Sequence, residues 1–376
     1  MVPLSLRDPI ELTRHLVCTN TINPPGNEGE LVNALELALN SLGLATLVQS
    51  IGKGRSNLLA WNATASGSRL CFTGHLDTVP LGAAPWTQKP LGGEVIGDRL
   101  YGRGSSDMKS GIAAFLSALE RFKTTNGFMP PVLVVLTAGE ETGCEGAKRL
   151  CELDLPGMDV GALLIGEPTS NRCVVGHKGA LWLTGKANGK TAHGAMPELG
   201  DNAIYHTVDA IQKLRQFDFD TPVDPLLGNP TLNVGTITGG MNVNSVPDIS
   251  AFTIDIRTVC GISHHDLCGR VGAHIGDKVQ LSTDVDVPAL SNDLSNLWIR
   301  QVTETVESVT GEKSQARTVA FFTDGPVLRE VFGDVPAIVL GPGEPSCAHQ
   351  TDEWCSVERI HECVNIYSRI LEDWQS

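Results

Sequence analysis

A discontinuous α/β domain interrupted by an α+β insert is the fold this chain predicts, on three observations. Short buried apolar runs alternate with helical periodicity through the first part of the chain. The texture turns amphipathic near Lys178, and the α/β pattern resumes from Asn292. The expected limits are residues 1–178 and 292–376 for the larger domain and 179–291 for the insert. A length of 376 residues agrees, being more than one ordinary core accommodates.

In chain order, residues 30–44 place Leu31, Ala34, Leu35, Ala38 and Leu42 at helical spacing after the punctuation Asn23-Pro24-Pro25-Gly26. Residues 57–61, 70–73, 132–137 and 162–165 predict short buried strands. Residues 107–123 predict a helix with Ile112, Phe115, Leu116 and Leu119 turned inward. In the insert, 180–187 alternates as an exposed strand and 201–217 is an amphipathic helix. Strands at 231–237 and 249–257 flank the turn-rich Gly239-Gly240-Met241-Asn242, and a helix at 263–275 and a strand at 279–285 complete it. Beyond Asn292, helices are expected at 293–310 and 357–374 and a strand at 337–340.

Composition removes several function classes. A net charge of −15, from 28 basic and 43 acidic residues, argues against nucleic acid or an anionic membrane as partner. No apolar run approaches the roughly 18 residues of a membrane span. Arg7 and Asp8 interrupt the segment where a secretory signal needs an unbroken apolar core, so a cytoplasmic protein is expected. The ten cysteines contain no C-x-x-C pair, which favours free thiols in a reducing compartment over a disulfide framework. Gly189-Lys190-Thr191 lacks the earlier glycine of a phosphate loop, Thr184 standing in its place. Gly102-Arg103-Gly104 has Asp107 where a dinucleotide loop needs its third glycine.

The chemistry-bearing residues recur beyond the apolar runs: His75 and Asp77, Asp107, the pair Glu140-Glu141, Glu167 and His349. Groups just past the carboxyl ends of different strands in an open α/β sheet converge on one crevice. Taken singly, each has an ordinary reading: a loop histidine, an Asp107 helix cap, a solvated acidic pair at a helix start. Taken together, with Gly74, Gly139, Gly143 and Gly166 beside them, they suit a pair of divalent cations bridged by one carboxylate. Carboxylates gathered so closely raise one another's pKa unless cations compensate them.

The segments Gly74-His75-Leu76-Asp77-Thr78-Val79-Pro80, Tyr101-Gly102-Arg103-Gly104-Ser105-Ser106-Asp107-Met108-Lys109, Gly139-Glu140-Glu141-Thr142-Gly143 and Gly166-Glu167-Pro168-Thr169 resemble the co-catalytic zinc family that contains acetylornithine deacetylase, succinyl-diaminopimelate desuccinylase, aminoacylase and glutamate carboxypeptidase. The resemblance runs over nearly the whole chain. It implies a zinc-aminopeptidase-like mixed sheet with a ferredoxin-like lid and dimerisation insert, two Zn2+ ions with Co2+ or Mn2+ as substitutes, a homodimer, and a small N-acyl amino acid as substrate. Position by position, it implies His75 and Glu167 on one cation, Glu141 and His349 on the other, and Asp107 between them. Asp77 would orient the His75 imidazole, and a non-proline cis peptide would follow Asp107. Glu140 would act as general base and then general acid. It also implies that His193, in Thr191-Ala192-His193-Gly194, reaches a neighbouring subunit's site to stabilise the oxyanion, and that Asn244 and Arg257 hold the substrate carboxylate. Lys178 and Gly325 fall in further substrate-binding segments.

The tail Cys347-Ala348-His349-Gln350-Thr351-Asp352-Glu353 and Gly176-His177-Lys178-Gly179 resemble acetylornithine deacetylase more than the desuccinylase. Three alternatives stay open: a desuccinylase, a dipeptidase or carboxypeptidase on the same metals, and a non-catalytic metal- or amino-acid-binding protein.

Overall fold

The computed structural model describes residues 4–153, 158–313 and 317–374. It divides into two compact units, one of Met1–Gly176, Asn292–Thr318 and Thr323–Ser376, the other of His177–Ser291 and Val319–Phe322.

The first unit is built on a mixed sheet in which Ala45–Gly52, Arg55–Trp61, Val132–Thr137, Arg69–His75, Val160–Ile165 and Ala337–Val339 lie in that spatial order. The last four are mutually parallel, and the first two attach antiparallel at one side. Arg69–His75 and Val132–Thr137 are buried along their whole length, as strands covered on both faces are. Register brings the carboxyl ends level: His75 pairs with Thr137, Thr73 with Ile165, and Val339 with Ile165. The segments that follow these strands, carrying Asp77, Glu140-Glu141, Glu167 and His349, therefore leave the sheet from one edge.

Helices Ser110–Asn126 and Val357–Asp373 pack together and against the sheet. Phe72 stacks on Phe115 with ring centroids 4.1 Å apart, and Tyr367 meets both edge-on at 5.9 and 5.7 Å. Such pairs add about 0.5–1.5 kcal/mol each beyond the area they bury. The Tyr367 hydroxyl donates to the Leu340 carbonyl, so the same ring also fixes the exit of the last parallel strand.

The sequence expectations hold in kind and shift in detail. The first expected helix is Glu28–Ser41, stopped where Gly43 turns to φ +83°. An antiparallel partner, Ala45–Gly52, and a helix, Gly325–Phe332, were not foreseen. The helix expected from residue 107 begins at Ser110 instead. Asp107 has extended backbone angles (φ −118°, ψ 94°) and a cis bond to Met108, and its carboxylate turns to two histidines rather than capping the helix.

The second unit runs strand, helix, strand, strand, helix, strand: Gly179–Asn188, Ala203–Leu214, Thr231–Gly239, Ile249–Thr258, His264–Ile275 and Val279–Val287. Its four-stranded antiparallel sheet has the spatial order Thr231–Gly239, Ile249–Thr258, Gly179–Asn188, Val279–Val287, a ferredoxin-like arrangement. Gly179–Asn188 is thus a central strand, paired on both sides, where an exposed one was expected. Its alternation marks one face turned to the helices: Leu181 and Leu183 pack with Phe252, Ile254, Leu267 and Val271.

Candidate metal centre

His75 ends a fully buried strand and is 1 % exposed. Its Nδ1 lies 3.0 Å from the main-chain carbonyl of Asp77, which can only accept, so Nδ1 carries the hydrogen and Nε2 is the nitrogen left to face the site. Nε2 is 3.0 Å from Asp107 Oδ1 and 3.6 Å from Glu167 Oε1. The Asp77 carboxylate stands 3.6 Å from Nδ1, beyond hydrogen-bond length, so the main-chain carbonyl holds the ring and the side chain is engaged elsewhere. Its Oδ2 accepts from Asn23 Nδ2 at 3.0 Å and its Oδ1 from the Glu140 N–H at 3.1 Å.

Glu140 and Glu141 follow Val132–Thr137 through a turn at Gly139, whose φ is +74° and where a Cβ would come 2.5 Å from Arg55. Glu167 follows Val160–Ile165. There Gly111, in the first turn of its helix, lets the backbone approach the Gly166 carbonyl so closely that a Cβ would lie 2.0 Å from it. His349 is exposed and adopts φ +63°, an uncommon conformation for a residue with a side chain, of the kind that concentrates at functional sites. Its Nε2 lies 3.1 Å from Glu141 Oε2 and 3.4 Å from Asp107 Oδ2.

All five expected ligands and Glu140 therefore meet. Ligand atoms of His75, Asp107 and Glu141, and of His75, Glu140 and Glu167, lie within 4.8 Å of one another. Asp107 faces His75 with one oxygen and His349 with the other, the disposition a bridging carboxylate needs. The buried Glu141 Oε1 has no hydrogen-bond partner. Burial, then Glu167, Glu141 and Asp324, push the Glu140 carboxyl well above its usual range against the pull of His75. Glu167 is raised likewise, by burial and then Asp107, and Glu141 by burial and then Asp107. Asp107 is held low, burial being overcome by hydrogen bonds from His349 and His75. His349 is raised to about 10 by Asp107 and Glu141. His75 is raised well above its usual value by Glu167 and Asp107 despite its burial. A crowd of carboxylates sharing two imidazoles, with an orphaned oxygen, fits divalent cations with mixed nitrogen and oxygen ligands.

Gly325 opens its helix in the same unit and donates its N–H to Thr323 Oγ1 at 3.1 Å. The residue before it was missed. Asp324 is 2 % exposed, accepts from Thr137 Oγ1 at 2.6 Å, and leaves Oδ1 unpartnered. Burial raises its pKa. The sequence signal was faint, a single acid among small and aromatic residues. Arg103 and Glu353 were also missed, although both stood in the motifs.

The other four expected residues belong to the second unit. His193 is exposed, with Nδ1 accepting from the Ala195 N–H at 3.1 Å, which leaves Nε2 as its donor. A bridge from His193 to Ser245 and a bond from the Gly194 N–H to the Asn244 carbonyl set His193 and Asn244 side by side. Arg257 is half-buried, its Nε 2.9 Å from Asp255 Oδ1 and its Nη1 donating to the Ala320 carbonyl. Lys178 donates to the Asn229 carbonyl at 2.5 Å.

Residues 71–373 match the family described as Peptidase family M20/M25/M40. Among curated proteins, the chain is 30% identical to an acetylornithine deacetylase of Proteus mirabilis, covering 97% of this chain and 96% of that one. It is 32% identical to a succinyl-diaminopimelate desuccinylase 2 of a Ruegeria species, covering 98% and 95%. Among solved structures, an M20 family metallo-carboxypeptidase from Sulfolobus solfataricus superposes with a TM-score of 0.84 at 17% identity, covering 98% of this chain and 99% of that chain. A dinuclear metal binding peptidase from Bacillus subtilis gives 0.71 at 12% identity, covering 98% of each. Fold, ordered motifs and family match agree: the chain is a metal-dependent, amide-hydrolysing enzyme that belongs to peptidase family M20/M25/M40.

Proposed function

We propose that the chain removes the acyl group of an N-acyl-L-amino acid, in the manner of an acetylornithine deacetylase. The observation that carries this reading is the split of Asp107 between His75 and His349, with Glu140 buried alongside. His75 and Glu167 would hold one Zn2+, Glu141 and His349 the other, and Asp107 would bridge them, with Co2+ or Mn2+ as substitutes. When bound, such cations polarise an amide carbonyl and bring the pKa of water toward neutrality.

Glu140 takes the proton of the attacking water and returns it to the leaving amine. Its environment supports this, because burial among carboxylates raises the proton affinity of its carboxyl. Asp77 holds the backbone of Glu140 while its own main-chain carbonyl fixes the His75 ring. In the insert, His193 offers an Nε2 donor to the oxyanion of a neighbouring subunit's reaction, Arg257 and Asn244 grip the substrate carboxylate, and Lys178 adds a further substrate contact, as does Gly325 of the metal-binding unit.

A homodimer through the insert is part of the reading. Thr231–Gly239 is an edge strand, and Tyr205, Ile237, Met241 and Val243 are exposed apolar residues on or beside it. No described helix is long and apolar enough to cross a membrane. The buried thiols of Cys71, Cys144, Cys173, Cys355 and Cys363 support a reducing, cytoplasmic setting.

Desuccinylation is the second reading, favoured by the similarity to the Ruegeria protein. Hydrolysis by metal-loaded protein of N-acetyl-ornithine, other acetyl-amino acids, N-succinyl-diaminopimelate and dipeptides ranks these. Turnover of the acetyl-amino acids above the others is expected. Cleavage confined to dipeptides would overturn the deacylase assignment, and none across the panel would leave a binding protein.

A further inference from the structure

Arg103 and Glu353 form a buried ion pair, each 1 % exposed, with Arg103 Nη1 2.6 Å from Glu353 Oε2. Neither touches the candidate ligand atoms, yet both hold the backbone that carries them. The other Glu353 oxygen, Oε1, accepts the N–H of Ser106 at 2.9 Å and that of Asp107 at 3.0 Å. Arg103 donates from Nη2 to the carbonyls of Pro80 at 3.1 Å and His349 at 3.4 Å, and from Nη1 to that of Gln350 at 3.2 Å. Ser106 extends the tie: its hydroxyl donates to the Trp354 carbonyl at 2.7 Å and accepts from the Glu344 N–H at 2.9 Å. Three loops, those of His75, Asp107 and His349, are thus fastened to one guanidinium and one carboxylate.

We infer that Arg103 and Glu353 are a positioning pair that sets the spread between His75, Asp107 and His349, and that both cation positions owe their affinity to it. A buried ion pair is a poor device for stability alone, since apolar residues of equal volume often pack as well. What apolar residues cannot supply is one acceptor shared by two adjacent N–H groups and one planar donor that reaches a carboxylate and three carbonyls at once. Partners beyond the ligands orient the ligands themselves, and losing them typically lowers metal affinity about 10–100-fold.

This inference rests on the metal-centre reading. The test titrates metal-stripped full-length protein with Co2+, followed by visible absorption and calorimetry, for wild type, Glu353→Ala, Glu353→Gln and Arg103→Lys. Circular dichroism and melting of each metal-free protein establish that it is folded. Wild type should take up two Co2+ per chain. Glu353→Gln, which keeps an acceptor for both N–H groups, should stay within about tenfold of wild type, whereas Arg103→Lys and Glu353→Ala should lose about 10–100-fold with an altered Co2+ spectrum. Wild-type affinity and spectrum in folded Arg103→Lys and Glu353→Ala would overturn the inference, as would a lowered melting temperature with the binding of the folded protein unchanged. Should Glu353→Ala not fold, Arg103→Lys and the Gln variant decide it by the same readouts. Failure of wild type to bind two cations would instead sink the metal-centre reading.

Discussion

Asp77 Oδ1 accepts the main-chain N–H of Glu140 at 3.1 Å, joining the loop beyond one buried strand to the loop beyond its neighbour. The carboxylate is fully buried and its pKa is lowered, burial being outweighed by the neighbouring His75 imidazole and by hydrogen bonds from Asn23 and the Glu140 backbone. Asp77 therefore holds two groups of the cluster at once, the His75 imidazole through its main chain and the Glu140 backbone through its side chain. Asp77→Ala is expected to lower metal affinity about 10–100-fold and kcat further, with Asp77→Asn milder because an amide oxygen can still accept. Equal metal affinity and kcat in Asp77→Ala and wild type would remove Asp77 from the site.

Glu140 lies beside the candidate ligands, 5 % exposed, and its removal should separate binding from turnover. Glu140→Ala should retain its metal while kcat falls about 10²–10⁴-fold, the usual worth of a general base. Metal content by mass spectrometry and steady-state kinetics on the best acyl-amino acid check this. Near-normal kcat would refute the role.

Metal uptake should expel protons. A cation needs neutral imidazoles and ionised carboxylates, whereas in its absence His349 is raised to about 10 and Glu140, Glu141 and Glu167 are raised too. Apparent Zn2+ affinity should therefore climb as pH rises through the neutral range. Calorimetry in buffers of differing ionisation enthalpy counts the protons, and affinity independent of pH between about 6 and 9 would contradict the cluster's arrangement.

The same groups set the stability of metal-free protein. The histidine pKa values lie above 6.5 and those of Glu140, Glu141 and Glu167 above 4.5 in the folded chain. These groups thus bind more protons in the folded state than in the unfolded, so their contribution to stability falls as pH rises above about 4.5, continuing toward pH 10 as His349 deprotonates, with Lys109, lowered to about 7 by burial, opposing part of that fall above pH 7. Asp77 and Asp107, held low, act oppositely, but only below about 4. Melting temperatures of metal-free protein should drop between pH 5 and 9, and saturating Zn2+ should raise them most at the alkaline end. A flat or rising metal-free curve would count against the cluster.

Arg257 and the insert's apolar edge give two independent checks. Arg257→Lys keeps charge but loses the planar fork, so KM should rise more than kcat falls. Val243→Asp should shift sedimentation from dimer to monomer, because Val243 is fully exposed beside an edge strand. An unchanged sedimentation profile would count against a dimer through this edge.

Much of this protein was legible in the sequence because the information is local. Apolar runs such as 132–137 announce buried strands, and a chemistry-bearing residue just beyond a strand announces a shared crevice. His75, Glu140, Glu141, Glu167 and His349 therefore stand out by position, whereas Asp107 follows no such run and the role of each residue rested on the family resemblance. What tertiary structure decided depends on partners distant in the chain. Arg103 finds Glu353 across 250 positions and Asp324 finds Thr137 across 187, pairings that no periodicity encodes. Asp107 leaves its expected helix because two histidines offer its oxygens more than a helix cap would, and His75 takes the main-chain rather than the side-chain oxygen of Asp77. Composition and spacing determine which groups meet. The packed backbone alone decides which atom of each faces which, since that choice turns on ångström-scale hydrogen-bond geometry set by the whole fold.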